Sequence, residues 1–126
     1  MKRNSNIHRM AEGVFQAMNS RDFTTFEQII TDEIAFDFPG AGRAEGRRMS
    51  LLLLKSILRK YPKLHFDISE IITQDDRACV VWKNEGEDIR GNPYANAGIT
   101  LMHFCDGKIS FISDYFKDTS FAGSKS

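Results

Sequence analysis

The chain has 126 residues, 41% of them hydrophobic, enough for a single domain over residues 1–126 whose core needs no disulfide or metal staple. Seventeen basic residues balance seventeen acidic ones, so no net field draws the protein to nucleic acid or anionic lipid, and the expected partners are small molecules or further copies of the chain. Cys79 and Cys105 are too few for a disulfide framework and residues 1–6 hold no apolar run of signal-peptide type, so the expected compartment is the cytoplasm.

Ile7, Met10, Ala11, Val14, Phe15 and Met18 recur at helical spacing and predict a first amphipathic helix. Ser20 or Asp22 supplies a cap for a shorter second helix with Phe23, Phe26, Ile29 and Ile30 on one face. Ile34, Phe36 and Phe38 alternate with Ala35 and Asp37, a strand that Pro39-Gly40 ends. Residues 41–46 read as a loop by composition. Gly40, Gly42 and Gly46 suit a cavity-entrance loop and form no dinucleotide fingerprint, because no strand-turn-helix unit surrounds them. A third helix runs from about Arg47 to Tyr61 and stops at Pro62. Its Leu51 to Leu54 run is too short to span a bilayer. The cations around that run are read as water-facing heads on a core helix, with stems that cover apolar surface.

From Leu64 onward the period is that of strands. Leu64, Phe66 and Ile68 alternate with His65, Asp67 and Ser69, and Ile71-Ile72 breaks the alternation, which marks a bulge or a reversal of faces. Asp75-Asp76 is a turn. Ala78 to Lys83 is a continuous apolar run, read as a strand buried on both faces. A polar stretch from Asn84 to Pro93 precedes a closing hairpin, Tyr94 to Phe104 and Lys108 to Lys117, and residues 122–126 form a disordered tail. This order is α+β: three N-terminal helices packed on a strongly curved antiparallel sheet, forming a cone with an internal cavity.

The hairpin holds the best candidate for chemistry. A three-residue turn over Cys105, Asp106 and Gly107 pairs Phe104 with Lys108 and Gly98 with Asp114. It puts Gly98, Thr100, Met102, Phe104, Ile112, Asp114 and Phe116 on one face. A two-residue turn instead pairs Ile99 with Asp114 and turns His103 to that face. The three-residue form is the expectation. Asp114 is then one carboxyl among apolar residues, where desolvation lifts its pKa toward the range useful for proton transfer. The plain alternative is a solvated strand-end acid paired with Lys117 or Lys83. Ile99, Leu101, Ile109 and Phe111 would point the other way, and so apolar an outer sheet face predicts a homodimer through it. His8 and His65 lack metal-ligand spacing, so no metal is expected.

The helix order, the Asp106-Gly107-Lys108-Ile109 turn and the Asp114-Tyr115-Phe116 strand end resemble the SnoaL-like, nuclear-transport-factor-2-like superfamily from about Ile7 to Phe121. That group includes ketosteroid isomerases, polyketide cyclases, limonene epoxide hydrolases and non-catalytic binding domains, so the resemblance speaks for fold more than function. The isomerases' tyrosine, late-strand acid and base fall at Val14, Met102 and Phe38, all apolar here. Asp37, next to the base position, points the opposite way along its strand. The epoxide hydrolases' strand-end aspartate matches Asp114, but their arginine and first aspartate fall near Val81 and Lys83, or Trp82 and Asn84. The cyclases need only the last-strand aspartate as acid/base. The resemblance therefore implies a cofactor-free cyclase- or isomerase-type enzyme acting on a hydrophobic substrate with Asp114 as general acid/base. Val14, Phe38, Trp82, Met102, Ile112 and Phe116 would line the pocket. The enolate partner is open among Trp82, Asn84, Tyr94 and His103. The alternative is a non-catalytic ligand-binding or dimeric interaction module of the same fold.

Overall fold

A computed structural model describes residues 2–120, with side chains from residue 6 onward; the tail expected at 122–126 lies outside the described residues. The first apolar stripe forms α1 (Lys2–Ser20), with Ile7, Ala11, Val14, Phe15 and Met18 buried. Asp22 Oδ1 accepts from the Thr24 N–H at 3.1 Å as the chain enters α2 (Thr24–Gln28). That helix is shorter than expected. Ile29 closes it by donating its N–H to the Phe26 carbonyl three residues back, at 3.2 Å, and Ile30 already belongs to β1 (Ile30–Phe38), where it pairs with Ile109.

Residues read as a loop form a further strand, β2 (Gly42–Glu45), antiparallel to β1. Gly40 and Gly42 take φ of 85° and 76°, so the chain reverses directly after Pro39. Arg43 then meets Asp37 across the pair through two hydrogen bonds of 2.8 and 3.0 Å. α3 (Arg47–Lys60) follows and ends at the residue before Tyr61, in line with Pro62. Arg47 fastens its start, donating to Asp32 and to the carbonyls of Glu27 and Ile30.

The remaining strands are β3 (His65–Gln74), β4 (Arg77–Glu87), β5 (Pro93–Cys105) and β6 (Lys108–Phe116). The sheet order is β2-β1-β6-β5-β4-β3, open at both edges. It is mixed rather than wholly antiparallel, because β1 runs parallel to β6. α1 packs on β3 and β4 and α3 on β1 and β2, so the helices cover one face. Asn19, at the end of α1, accepts from the Phe66 N–H and donates to the Phe66 carbonyl, locking helix to sheet. Among the described residues no helix is long and apolar enough to cross a membrane.

One-sided coverage explains a further departure. Ala78, Val80 and Trp82 are buried while Cys79 and Val81 are partly exposed and Lys83 is exposed, so β4 alternates and is not buried on both faces. The break expected at Ile71-Ile72 is a bulge placed earlier, with Ser69 unpaired between Ile68 and Glu70. It shifts the inward phase from Phe66 and Ile68 to Ile71 and leaves Ile72 exposed.

The closing hairpin adopts neither expected register. Asp106 and Gly107, at φ of 51° and 80°, form a two-residue turn between Cys105 and Lys108. Ser110 is then skipped by the ladder, and this bulge returns Met102, Thr100 and Gly98 opposite Ile112, Asp114 and Phe116. The face expected from a three-residue turn is kept, but Asp114 faces Thr100 and not Gly98. Ile109, expected outside, precedes the bulge and is wholly buried. Gly98 has a steric role: a Cβ there would lie 2.2 Å from the Tyr115 carbonyl oxygen.

Candidate functional site

Between the helices and the inner face of the sheet lies a narrow cavity lined by Phe15 and Met18 of α1, Leu54 and Ile57 of α3, Phe38 of β1, Phe66 of β3, Asn84 of β4, Tyr94 of β5, and Asp114 and Phe116 of β6, with Tyr61 and Leu64 from the α3–β3 connection. About 30 Å³ of it admits the centre of a water molecule, room for roughly two waters. Aromatic rings build the wall by edge contacts. Phe38 meets Phe116 at 5.4 Å between centroids, Trp82 meets Phe116 at 5.1 Å, and Phe66 meets Trp82 at 5.2 Å. Tyr61 and Tyr94 stack at 4.5 Å.

Asp114 enters this wall because β6 alternates and its bulge restores the inward phase. Burial pushes its carboxyl from the ordinary 3.8 up to about 7, against one hydrogen bond that pulls it down. That bond comes from Thr100, whose hydroxyl lies 2.6 Å from Asp114 Oδ1. Thr100 is itself buried and accepts from Trp82 Nε1 at 2.8 Å. The residual accessible surface of Asp114 opens onto the cavity. No lysine contributes to the lining, so pairing with Lys83 or Lys117 is not what sets the state of this acid.

The sequence-derived site residues separate into two groups. Asp114, Phe38 and Phe116 line the cavity. Val14, Trp82, Met102 and Ile112 lie in the packed core instead, each almost wholly buried. Of the candidates for an enolate partner, Asn84 and Tyr94 face the cavity, while the Trp82 N–H is taken by Thr100. His103 points to the outer face, 2.6 Å from Arg77 Nη1, with its ring tilted against Phe111 at 4.8 Å between centroids. Burial and Arg77 both lower its pKa. Asp37 also stays outside, held below the usual carboxylate range by the Arg43 guanidinium.

Thr100 and Tyr61 were not singled out by sequence. The signal for Thr100 was a hydroxyl on the same strand face as Asp114. For Tyr61 there was none, because it sits past the helix that positions it. Asn84 stands out on chemistry: the residue is only 4% exposed and its Oδ1 has no hydrogen-bond partner. Burial raises the pKa of both tyrosines, so they stay neutral phenols.

A larger groove of about 780 Å³ runs along α1 near the turns at Asp76 and Gly107. Its polar residues, Asn6, Arg9, Gln16, Thr25, Asp76 and Asp106, are all exposed. None of these groups is desolvated in an apolar wall, as Asp114 is, so the small cavity is the candidate site despite its size. Among the described residues no group of His, Cys, Asp and Glu side chains is placed to hold a metal.

An open sheet wrapped on three helices, with a single acid in an enclosed apolar cavity, defines a class of small α+β cavity domains. The sequence matches the SnoaL-like domain family over residues 11–112, and the chain belongs to that family. Solved structures with the same fold include Bal32a from a soil-derived mobile gene cassette, 17% identical, covering 96% of this chain and 95% of that one at a TM-score of 0.87. A putative SnoaL-like polyketide cyclase from Jannaschia sp. CCS1 is 13% identical over 90% of this chain and 86% of its own, TM-score 0.82. TerC, co-crystallised with polyporic acid, is 17% identical over 94% and 96%, TM-score 0.82. No curated protein matches the sequence.

Proposed function

We propose that the cavity takes a small molecule with an apolar body and that Asp114 acts on it as a cofactor-free general acid/base, in the manner of a cyclase or isomerase. One observation carries the reading: a lone carboxyl, desolvated to a midpoint of about 7, in a wall that is otherwise mostly apolar. An acid titrating near working pH is present in both forms, so it can remove a proton from carbon and return it elsewhere. Carbon flanked by two carbonyls suits so modest a base. The developing enolate would be met by the Asn84 amide and the Tyr61 and Tyr94 phenols. The putative SnoaL-like polyketide cyclase and TerC, co-crystallised with polyporic acid, are the structural neighbours whose descriptions favour this chemistry. The free space is smaller than such a molecule, so the lining side chains have to move apart as it binds.

The test is deuterium exchange at the carbon between the carbonyls of ethyl benzoylacetate, followed by NMR in heavy water. Wild-type protein accelerates exchange and Asp114→Asn does not. Equal acceleration by both would remove Asp114 from the reaction. A second reading, a non-catalytic binding module, is favoured by the apolar residues Val14, Phe38 and Met102 where isomerase relatives carry polar groups. It predicts that the ester perturbs Trp82 fluorescence while exchange stays at background. A second copy of the chain is proposed to cover the outer sheet face, where Val81, Ile99, Leu101 and Phe111 are half-buried and Tyr115 is exposed. A monomer in sedimentation at micromolar concentration would exclude that dimer. The cytoplasm is proposed as its compartment.

A further inference from the structure

Behind the cavity wall, three side chains form a one-way chain of hydrogen bonds, Trp82 Nε1 to Thr100 Oγ1 at 2.8 Å and Thr100 Oγ1 to Asp114 Oδ1 at 2.6 Å. Its direction follows from what each group is able to do. An indole N–H donates and has no acceptor, so Thr100 must accept there. The hydroxyl then has one proton left, and Asp114 Oδ1 is where it points. Thr100 cannot easily turn to accept a proton from Asp114 without breaking the bond to Trp82. The three residues sit on adjacent strands, with Thr100 directly opposite Asp114 and Trp82 opposite Gly98.

We infer that Thr100, held by Trp82, is a positioning residue for Asp114: it reserves Oδ1 as an acceptor and leaves Oδ2 to take and return the proton. This rests on the general acid/base reading above. In the forward step the carbon–hydrogen bond breaks, its electron pair passes into the enolate, and the proton binds Oδ2. In the return step Oδ2 gives the proton to the receiving atom, and the carboxylate is restored. Throughout, Oδ1 keeps its bond from Thr100. The hydroxyl also keeps Asp114 from being locked in the protonated form, because a donor to a carboxylate favours ionisation while burial opposes it. The other titratable groups lining the cavity are Tyr61 from the α3–β3 connection and Tyr94 from β5; α1, α3, β1, β3 and β4 contribute none. Both phenols are neutral through the window in which Asp114 titrates.

The experiment is an NMR titration of the Asp114 carboxyl carbon in the whole protein, with no ester present. Thr100→Val raises the midpoint by about one to two pH units, the range of a hydrogen bond to a charged group. Thr100→Ser returns it to the wild-type value, and Trp82→Phe, which frees the hydroxyl to rotate, raises it by less than Thr100→Val. In the exchange assay the rising limb of the pH profile moves with the midpoint. Trp82 is the sole tryptophan, so its single indole N–H resonance supplies a check that needs no variant. That resonance titrates with the Asp114 midpoint if the chain of bonds exists. A midpoint unmoved by Thr100→Val, or an indole resonance flat through the Asp114 titration, overturns the inference, and the indole result decides if the valine variant does not fold. Intact coupling with no ester exchange would instead overturn only the catalytic reading.

Discussion

Asp114→Asn separates the cost of the site from the stability of the fold. A carboxyl whose pKa rises from 3.8 to about 7 on folding binds a proton more tightly in the native state than in the unfolded chain. Between those values the native protein holds more protons, so stability is greatest below the unfolded pKa and is lost as pH rises through the folded one. At about 1.4 kcal/mol per pH unit the full loss is roughly 4 kcal/mol, reached near pH 8. Asparagine has the same shape, keeps an oxygen for the Thr100 hydroxyl, and does not ionise.

The wild type and the variant are therefore expected to coincide in urea unfolding near pH 4 and to diverge above it, the variant being the more stable by up to about 4 kcal/mol at pH 8. With an m-value of about 2 kcal/mol per molar, the urea midpoint moves by on the order of 2 M. Subtracting the two curves removes the other carboxylates. Asp22, Asp32 and Asp37 are held below their ordinary range by the Thr24 N–H, Arg47 and Arg43, and they titrate alike in both proteins. A gap that is constant with pH, or a variant less stable at pH 8, would refute the claim that desolvation governs this carboxyl. Gain of stability with loss of exchange is the pattern expected of a residue kept for function.

Further outcomes follow from the packing. Gly98→Ala brings a methyl against the Tyr115 carbonyl and should cost about 2–3 kcal/mol or more by thermal unfolding, whereas Gly42→Ala, which meets nothing within 4 Å, should cost only about 1 kcal/mol for its positive φ. Asn19→Ala breaks both bonds to the Phe66 backbone and is expected to lower stability by about 1–3 kcal/mol, seen as faster amide exchange at the start of β3. Asn84→Leu removes a buried oxygen that has no partner and should raise stability by about 1 kcal/mol while slowing ester exchange; a loss of stability would show that the amide is satisfied in solution.

The periodic parts of this fold were legible because they obey one local rule each. The α1 stripe, the Ile34-Phe36-Phe38 alternation and the stop at Pro62 all reappear where the sequence puts them. What was not legible depends on partners remote in the chain. β2 is short and glycine-containing, and it becomes a strand only because β1 offers an edge and Asp37 offers Arg43 a partner. The parallel pairing of β1 with β6 joins residues on opposite sides of the other four strands in sequence, so no turn announces it.

The hairpin shows how two local readings can miss and still agree with the structure. A two-residue turn alone would have put Asp114 opposite Ile99 and faced it outward with Leu101 and His103. The Ser110 bulge reverses that phase and returns Asp114 to the cavity. A bulge is favoured here because Ile109 has to be buried against Phe104 while Ile112 and Asp114 must also turn inward, and strict alternation cannot place residues 109 and 112 on one face. The apolar demand of Ile109 thus fixes the phase of the strand end, and with it the desolvation of the one acid on which the proposed chemistry rests.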